Sequence, residues 1–237
     1  MGWILALLVG TNLVVSKDMG VSLIFVFIFV GMAFGGGVHL GWFAGAGALI
    51  AAAAPVAWNY MADHQKKRIL ILIDPTIDPL GIDERYHLVR SLKSLTGGGL
   101  TGQGLFNGNR TQAGVLPSQH TDFIFSAIGE ELGYLGCILV LLMLLAVIAR
   151  CVWVGCQSKD YMRRMICFGA ASALIFQVGV NVGMCMGVMP VIGLTLPLIS
   201  YGGSSTLAIY IMLGLVSGVH ARPAPKSHER YIRPPRY

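Results

Sequence analysis

Long apolar stretches broken by short polar segments constrain this chain more than any other feature. They run over residues 2–15, 19–34, 38–60, 123–149, 165–188 and 194–219. Such blocks suit a bilayer, where a helix needs ~20 apolar residues to cross the hydrocarbon. Lipid offers no partner to backbone N–H and C=O groups, so each span must satisfy its own by being helical. Only 12% of the residues are charged and 55% are hydrophobic, whereas a soluble domain carries about twice that charge. The expected fold is all-α: a polytopic membrane helical bundle of about six transmembrane helices with one long outer loop. The first block is short, rising ~21 Å against a ~30 Å hydrocarbon core. It has neither a basic leader nor a small-residue cleavage pattern, so it reads as a span that has lost its beginning, not as a signal peptide.

The breaks and charges give the organisation. Residues 16–18 and the run Gly35, Gly36, Gly37 are tight turns between the first three blocks. Between the fourth and fifth blocks lie Arg150, Lys159, Arg163 and Arg164 against Asp160; after the sixth lie Arg222, Lys226, Arg230, Arg233 and Arg236 against Glu229. Two spans separate these segments, so they share a side, which the positive-inside rule makes cytoplasmic. The expected organisation is three spans over 1–60, an extracytoplasmic loop with interfacial helices over 61–121, three spans over 122–220 and a basic cytoplasmic tail over 221–237. The net charge of +6 points to anionic lipid headgroups. No soluble element interleaves basic and aromatic residues, so nucleic acid is not an expected partner. The five cysteines, Cys137, Cys151, Cys156, Cys167 and Cys185, show no zinc spacing and read as small apolar filler.

The outer loop has its own structure. Residues 65–73 read as a basic-then-apolar interfacial piece, and Asp74-Pro75 and Asp78-Pro79-Leu80-Gly81 are turn signals. Residues 86–95 predict a helix with Leu88, Leu92 and Leu95 on one face and Arg90 and Lys93 towards the other, lying in the interface or over the bundle. Residues 97–104 hold five glycines in eight. They read either as a flexible turn or as a nest of N–H groups for a pyrophosphate. Arg110, with Lys93 or Arg90, is an anion contact on the second reading and a solvated charge on the first.

Two runs have the composition of a site. In the first, Asp122 stands where the polar loop enters an apolar helix. It is either an N-terminal cap, as is Thr121, or a carboxylate at the membrane boundary acting as base or metal ligand. Asp122, Ser126 and Glu130 are four residues apart, which predicts one helical face lining one cleft. An acid at hydrocarbon depth needs a polar interior or a partner, so Glu130 and Glu131 read as site groups or as an interhelical hydrogen bond. In the second run, Pro197 to Ser205, the sequence Ser200-Tyr201-Gly202-Gly203-Ser204 breaks a span at its outer mouth and supplies hydroxyls and exposed amides. Its alternative is close small-residue packing. Gln177 and Asn181 add polar groups to the same interior.

These residues resemble the SEDS family (shape, elongation, division, sporulation). The resemblance rests on His120-Thr121-Asp122-Phe123-Ile124-Phe125 with Gly129-Glu130-Glu131-Leu132-Gly133, and on Met189-Pro190 with the run from Leu196 to Ser205. Asp74-Pro75, the run from Asp78 to Gly81, and Lys17-Asp18-Met19-Gly20 add to it. It implies ten transmembrane helices and a peptidoglycan glycosyltransferase that polymerises lipid II in elongation or division. This chain is then similar to the last six spans, beginning inside the fifth, and polymerisation is expected to need both halves. Arg90 and Ser118 stand where the family often has Gln and Glu. By resemblance Asp122 is catalytic, and substrate-binding residues are expected at Arg110, His120, Thr121, Glu130, Ser200, Tyr201, Gly202, Gly203 and Ser204. No organic cofactor is evident; the resemblance leaves room for a divalent cation, Mg or Mn, with Asp122 as its candidate ligand. The implied partners are lipid II, undecaprenyl-pyrophosphate-linked glycan and a class B penicillin-binding protein, in the bacterial cell membrane. The alternatives are a transporter or flippase for the same precursor and a non-enzymatic scaffold for a transpeptidase. Candidate groups concentrated at the outer boundary favour the enzyme, since transporters place ligand groups near the midplane.

Overall fold

The computed structural model describes residues 19–61, 63–74, 86–116 and 118–222. Among them there is helix, turn and loop but no strand. The helices are α1 (Met19–Gly35), α2 (Leu40–Tyr60), α3 (Asp63–Ile73), α4 (Tyr86–Gly97), α5 (Asn109–Gln112), α6 (Ile124–Gln157), α7 (Tyr161–Cys185) and α8 (Gly203–Ala221). By length and composition α6, α7 and α8 are able to cross a membrane, and two shorter apolar helices cover Gly20–Gly35 and Leu40–Pro55. Five of the expected blocks are thus helical. The block at 2–15, the turn at 16–18, residues 75–85 and the tail beyond 222 lie outside the described residues.

Small residues let the spans close. A Cβ on Gly31 would lie 2.2 Å from the Ser172 hydroxyl, and one on Gly169 would lie 2.8 Å from Met32, so α1 and α7 meet nearly backbone to backbone. Phe27 and Phe176 stack across the same seam with centroids 4.2 Å apart. At one end the expected glycine turn follows α1, with Gly37 in the left-handed region at φ 75°. There the Arg164 guanidinium donates to the Gly35 carbonyl, satisfying a helix C-terminus. Lipid-type exposure is clearest on α2, where Trp42 and Leu49 are 76% and 74% exposed. Of the cysteines, four are buried as expected, but Cys156 is exposed on the last turn of α6.

The main departures concern α6 and α8. The helix α6 runs 34 residues, eight past its apolar block, and breaks at Gly133 with φ 69° and ψ −167°. Residues 134–157 alone rise ~36 Å, enough for a span. The acid-bearing start, Ile124 to Leu132, is therefore a separate segment. The glycine-rich loop plugs the break: Gln103 and Gly104 donate to the carbonyls of Glu130 and Glu131, and Tyr134 and Leu135 donate to those of Gly99 and Leu100. A Cβ on Gly98 would lie 2.0 Å from the Gly129 carbonyl oxygen, and one on Gly102 equally close to that of Glu131. The glycines at these positions permit backbone contact, which replaces both the flexible-turn and the anion-nest readings. Before α8 the expected break at Ser200 holds but reaches further back: residues 194–202 are not helical, with buried Pro197 and Leu198 at φ 66°, and α8 begins only at Gly203.

The loop helix α4 packs over the bundle, not in the interface, and the centre of its contact is polar. Ser91 and Ser94 are wholly buried, whereas Leu88, Leu92 and Leu95 are half-buried at the flanks. The Ser91 and Ser126 hydroxyls meet at 2.6 Å, and Ser91 also donates to the Cys185 carbonyl at 3.0 Å. Hydroxyls that satisfy one another can be buried where a leucine would hold the helices apart.

Candidate active site

The tight turn that feeds α6 is held from outside itself. Ser118, at φ 49°, starts it. Its carbonyl accepts from the Thr121 and Phe123 amides at 3.1 and 3.3 Å and from the Thr121 hydroxyl at 3.2 Å. Three consecutive carbonyls then accept hydrogen bonds from the far half of the chain. His120 O takes the Tyr201 amide at 2.8 Å, Thr121 O takes the Ser200 hydroxyl at 2.6 Å, and Asp122 O takes the Asn181 amide group at 2.8 Å. Asn181, wholly buried on α7, also donates to Leu194 O at 2.6 Å. Ser200 also accepts from the Leu196 amide at 2.7 Å. Phe123, 2% exposed, anchors the turn in the core.

This arrangement leaves the Asp122 side chain half-exposed. It opens into a cavity of about 480 Å³ with Arg68, His87, Ser118 and the wall Val191, Ile192 and Gly193. Arg68, on α3, reaches across to donate to Val191 O at 3.1 Å. His87, on α4, stacks parallel to Phe123 with centroids 6.0 Å apart. Burial pushes the Asp122 carboxyl above its ordinary value of 3.8, and the Thr121 hydroxyl and the charge of His87 act against that rise. The capping alternative does not hold, because Phe123 occupies the α6 cap position and no side chain bonds the helix start there.

A second cavity, of about 650 Å³, flanks the same turn. His120, Ser200, Tyr201, Gly202 and Gly203 line it, together with the apolar or aromatic Ile124, Leu198, Leu207 and Tyr210. Ser204 is exposed and lines neither cavity. The Ser200 hydroxyl is spent on the turn, so it acts there as a staple.

Glu130 and Arg110 lie elsewhere. The Glu130 carboxylate, 1% exposed, accepts from the Arg110 amide at 2.7 Å and the Thr111 hydroxyl at 3.0 Å, both on α5. This is the structural hydrogen bond of the two readings. The expected common face of Asp122, Ser126 and Glu130 also fails: Ser126 is buried against Ser91, and Asp122 precedes the helix. Arg90 donates to Val115 O at 2.6 Å and lies over the Tyr86 ring, holding the loop together. Sequence reasoning passed over Arg68 and His87. Each sat in a segment read by its periodicity, and neither periodicity nor composition marks which residue of an interfacial helix faces a cavity.

Among the described residues no three His, Cys, Asp or Glu side chains cluster at metal-binding range. The Asp122 cavity offers one carboxylate beside a guanidinium and an imidazole. That set supplies a single anionic ligand and no closed protein cage for a cation.

Fold and site together define a multi-span helical membrane protein with a carboxylate cavity at one end of its bundle. The family model for the cell cycle proteins FtsW, RodA and SpoVE matches residues 1–224, and the chain belongs to that family. The peptidoglycan glycosyltransferase MrdB of Escherichia coli K12 is 38% identical over 173 residues, 73% of this chain and 46% of the relative. The peptidoglycan glycosyltransferase RodA of Mycobacterium tuberculosis H37Rv is 35% identical over 207 residues, 87% of this chain and 43% of the relative. A chain from a solved peptidoglycan synthase complex, concerned with the coordination of polymerization and crosslinking, aligns with a TM-score of 0.75 at 34% identity. The alignment covers 93% of this chain and 60% of that one. The chain therefore spans less than half the length of these curated relatives.

A raised Asp122 pKa has a measurable sign. The folded chain holds that proton more tightly than the unfolded one, so the associated stability is complete below ~3.8 and is lost as pH rises through the folded value. Asp122→Asn does not titrate. Its thermal midpoint in detergent should therefore gain on that of the parent chain as pH rises from ~3.8 through the folded value, and then level off. A difference that stays constant over this range would contradict the assignment.

Proposed function

We propose that this chain forms the C-terminal part of a peptidoglycan glycosyltransferase that polymerises lipid II, with Asp122 as its general base. The observation that carries the reading is a half-buried carboxylate of raised basicity, in one polar cavity with Arg68 and His87. In glycan extension the 4-hydroxyl of one lipid-linked sugar attacks the anomeric carbon of another. The new C–O bond forms as the bond to undecaprenyl pyrophosphate breaks, and the hydroxyl proton passes to Asp122. A positioned base contributes typically ~10²–10⁴-fold. The guanidinium of Arg68 neutralises charge on the departing pyrophosphate; a divalent cation, were one bound, would be held through Asp122 and would supply further charge neutralisation there. Apolar walls at Leu198, Leu207 and Tyr210 make the second cavity suited to a polyprenyl chain.

Of the two acids that would gate a path in the transporter reading, Glu130 and Glu131, the first cannot serve, since both its oxygens are engaged by α5. Association with a class B penicillin-binding protein accords with the synthase complex that the chain resembles, and scaffolding is compatible with catalysis.

The membrane orientation in this reading puts the Asp122 cavity outside and the C-terminus in the cytoplasm. Arg150, Arg163, Arg164 and Arg222 gather at the end opposite Asp122, which supports it. Asn107 is exposed on the loop. With the five cysteines replaced, Asn107→Cys should react with an impermeant maleimide in intact cells; reaction only after permeabilisation reverses the orientation.

The catalytic role is tested in a full-length protein made by joining this chain to the N-terminal spans of the Escherichia coli relative. Asp122→Asn should lower lipid II polymerisation at least ~10²-fold at equal membrane abundance and partner binding. Activity within a few-fold of the parent would remove Asp122 from the chemistry.

A further inference from the structure

At the end of the bundle opposite Asp122, cations outnumber carboxylates. Asp160 is the one carboxylate between residues 132 and 222, a stretch that also holds Arg150, Lys159, Arg163, Arg164 and Arg222. Asp160 is engaged, pairing with Arg163 at 3.4 Å. Arg163 also donates to the Arg222 carbonyl at the C-terminus of α8, and Arg164 donates to Gly35 O. Arg150 is different. Its guanidinium lies over the Trp153 ring, 4.2 Å from the centroid. One of its N–H groups donates to Nε2 of His220 at 3.1 Å, across from α6 to α8. Among the described residues it has no carboxylate partner, and it is exposed.

A planar guanidinium fixed on one face by an indole and at one edge by an imidazole presents its remaining donors in a set geometry, which suits a phosphate. The surroundings say what carries that phosphate. Trp153 is 45% exposed, as an aromatic residue at a membrane–water boundary is. From Arg150 back along the same face of α6, Leu142, Met143 and Leu139 are 58–63% exposed. An apolar surface thus leads from the cation towards the membrane interior. We infer that Arg150, Trp153 and His220 form a headgroup site for an anionic phospholipid, whose phosphate bonds Arg150 and whose chains lie along α6. Basic pockets between transmembrane helices recognise lipid phosphates in this way.

The test uses the whole 1–237 chain with Trp3, Trp42 and Trp58 changed to Phe, so that Trp153 alone reports. It is placed in mixed phosphatidylglycerol–phosphatidylcholine vesicles in which one lipid at a time carries bromine. Brominated phosphatidylglycerol should quench Trp153 as though enriched about fivefold over its bulk fraction. Arg150→Gln should bring this close to bulk, while helical content by circular dichroism stays unchanged. Equal quenching by the two lipids would overturn the site. So would an enrichment that survives Arg150→Gln. Loss of the enrichment on adding inorganic phosphate at constant ionic strength would assign the cluster to a soluble anion and overturn the lipid reading. Should Arg150→Gln not fold, His220→Gln removes the imidazole edge. A well-folded His220→Gln chain should lose part of the enrichment, and one that keeps all of it contradicts the site.

Discussion

The hydrogen bonds to the carbonyls of His120, Thr121 and Asp122 are the constraint on which the site depends. A turn on the surface of a membrane bundle has few ways to stay fixed, since its own short-range bonds tolerate several conformations. Here the Tyr201 amide, the Ser200 hydroxyl and Asn181 bind three carbonyls in succession. Asn181 ties the turn to Leu194 as well, so one buried donor holds both the Asp122 backbone and the residue that follows the cavity wall Val191–Gly193. The Asp122 carboxyl takes none of these three bonds. Its backbone is held while its carboxyl faces the cavity, and burial raises its basicity. A residue whose main chain is structural and whose side chain is spared is well arranged for proton transfer.

The break at Gly133 serves the same end. A continuous helix would carry Glu130 and Glu131 directly into the span, where charge is costly. Breaking the helix frees carbonyls that must find donors, and the loop of residues 97–104 supplies them. With no side chains at Gly98 and Gly102, the loop comes close enough to do so. The Glu130 carboxylate then anchors α5, and the loop bearing α4 lies down over α6. That places His87 against Phe123 at the edge of the Asp122 cavity. The glycines and the acids, read apart as a nest and as site groups, are parts of one joint.

The spans were legible because hydrophobic length is a one-dimensional signal: α1 and α2 follow their blocks within about two residues. The break at Ser200 was legible too, but its reach was not, because the apolar residues 194–199 look like helix until Pro197 and the Ser200 bonds are seen to hold them as a loop. Asp122 and the run at Ser200 were recognisable as the place of the site, since polar residues at a span entrance need a reason. Their division of labour was not. Whether Ser200 meets a substrate or a carbonyl, and whether Glu130 faces a cleft or α5, depends on contacts 19 to 79 residues apart in sequence. Arg68 and His87 share that difficulty, because an amphipathic pattern gives a face but not its neighbour.

The most direct measurement places a photoreactive benzoylphenylalanine at Ile192, on the wall of the Asp122 cavity, in the joined full-length protein, with Leu145 on the lipid-facing side of α6 as control. Irradiation in membranes containing labelled lipid II should crosslink lipid II at Ile192 several-fold above the control. Unlabelled lipid II should compete the product away. Crosslinking no greater at Ile192 than at Leu145, in a protein that still polymerises lipid II, would show that the substrate binds elsewhere and that this cavity is not the site of the chemistry.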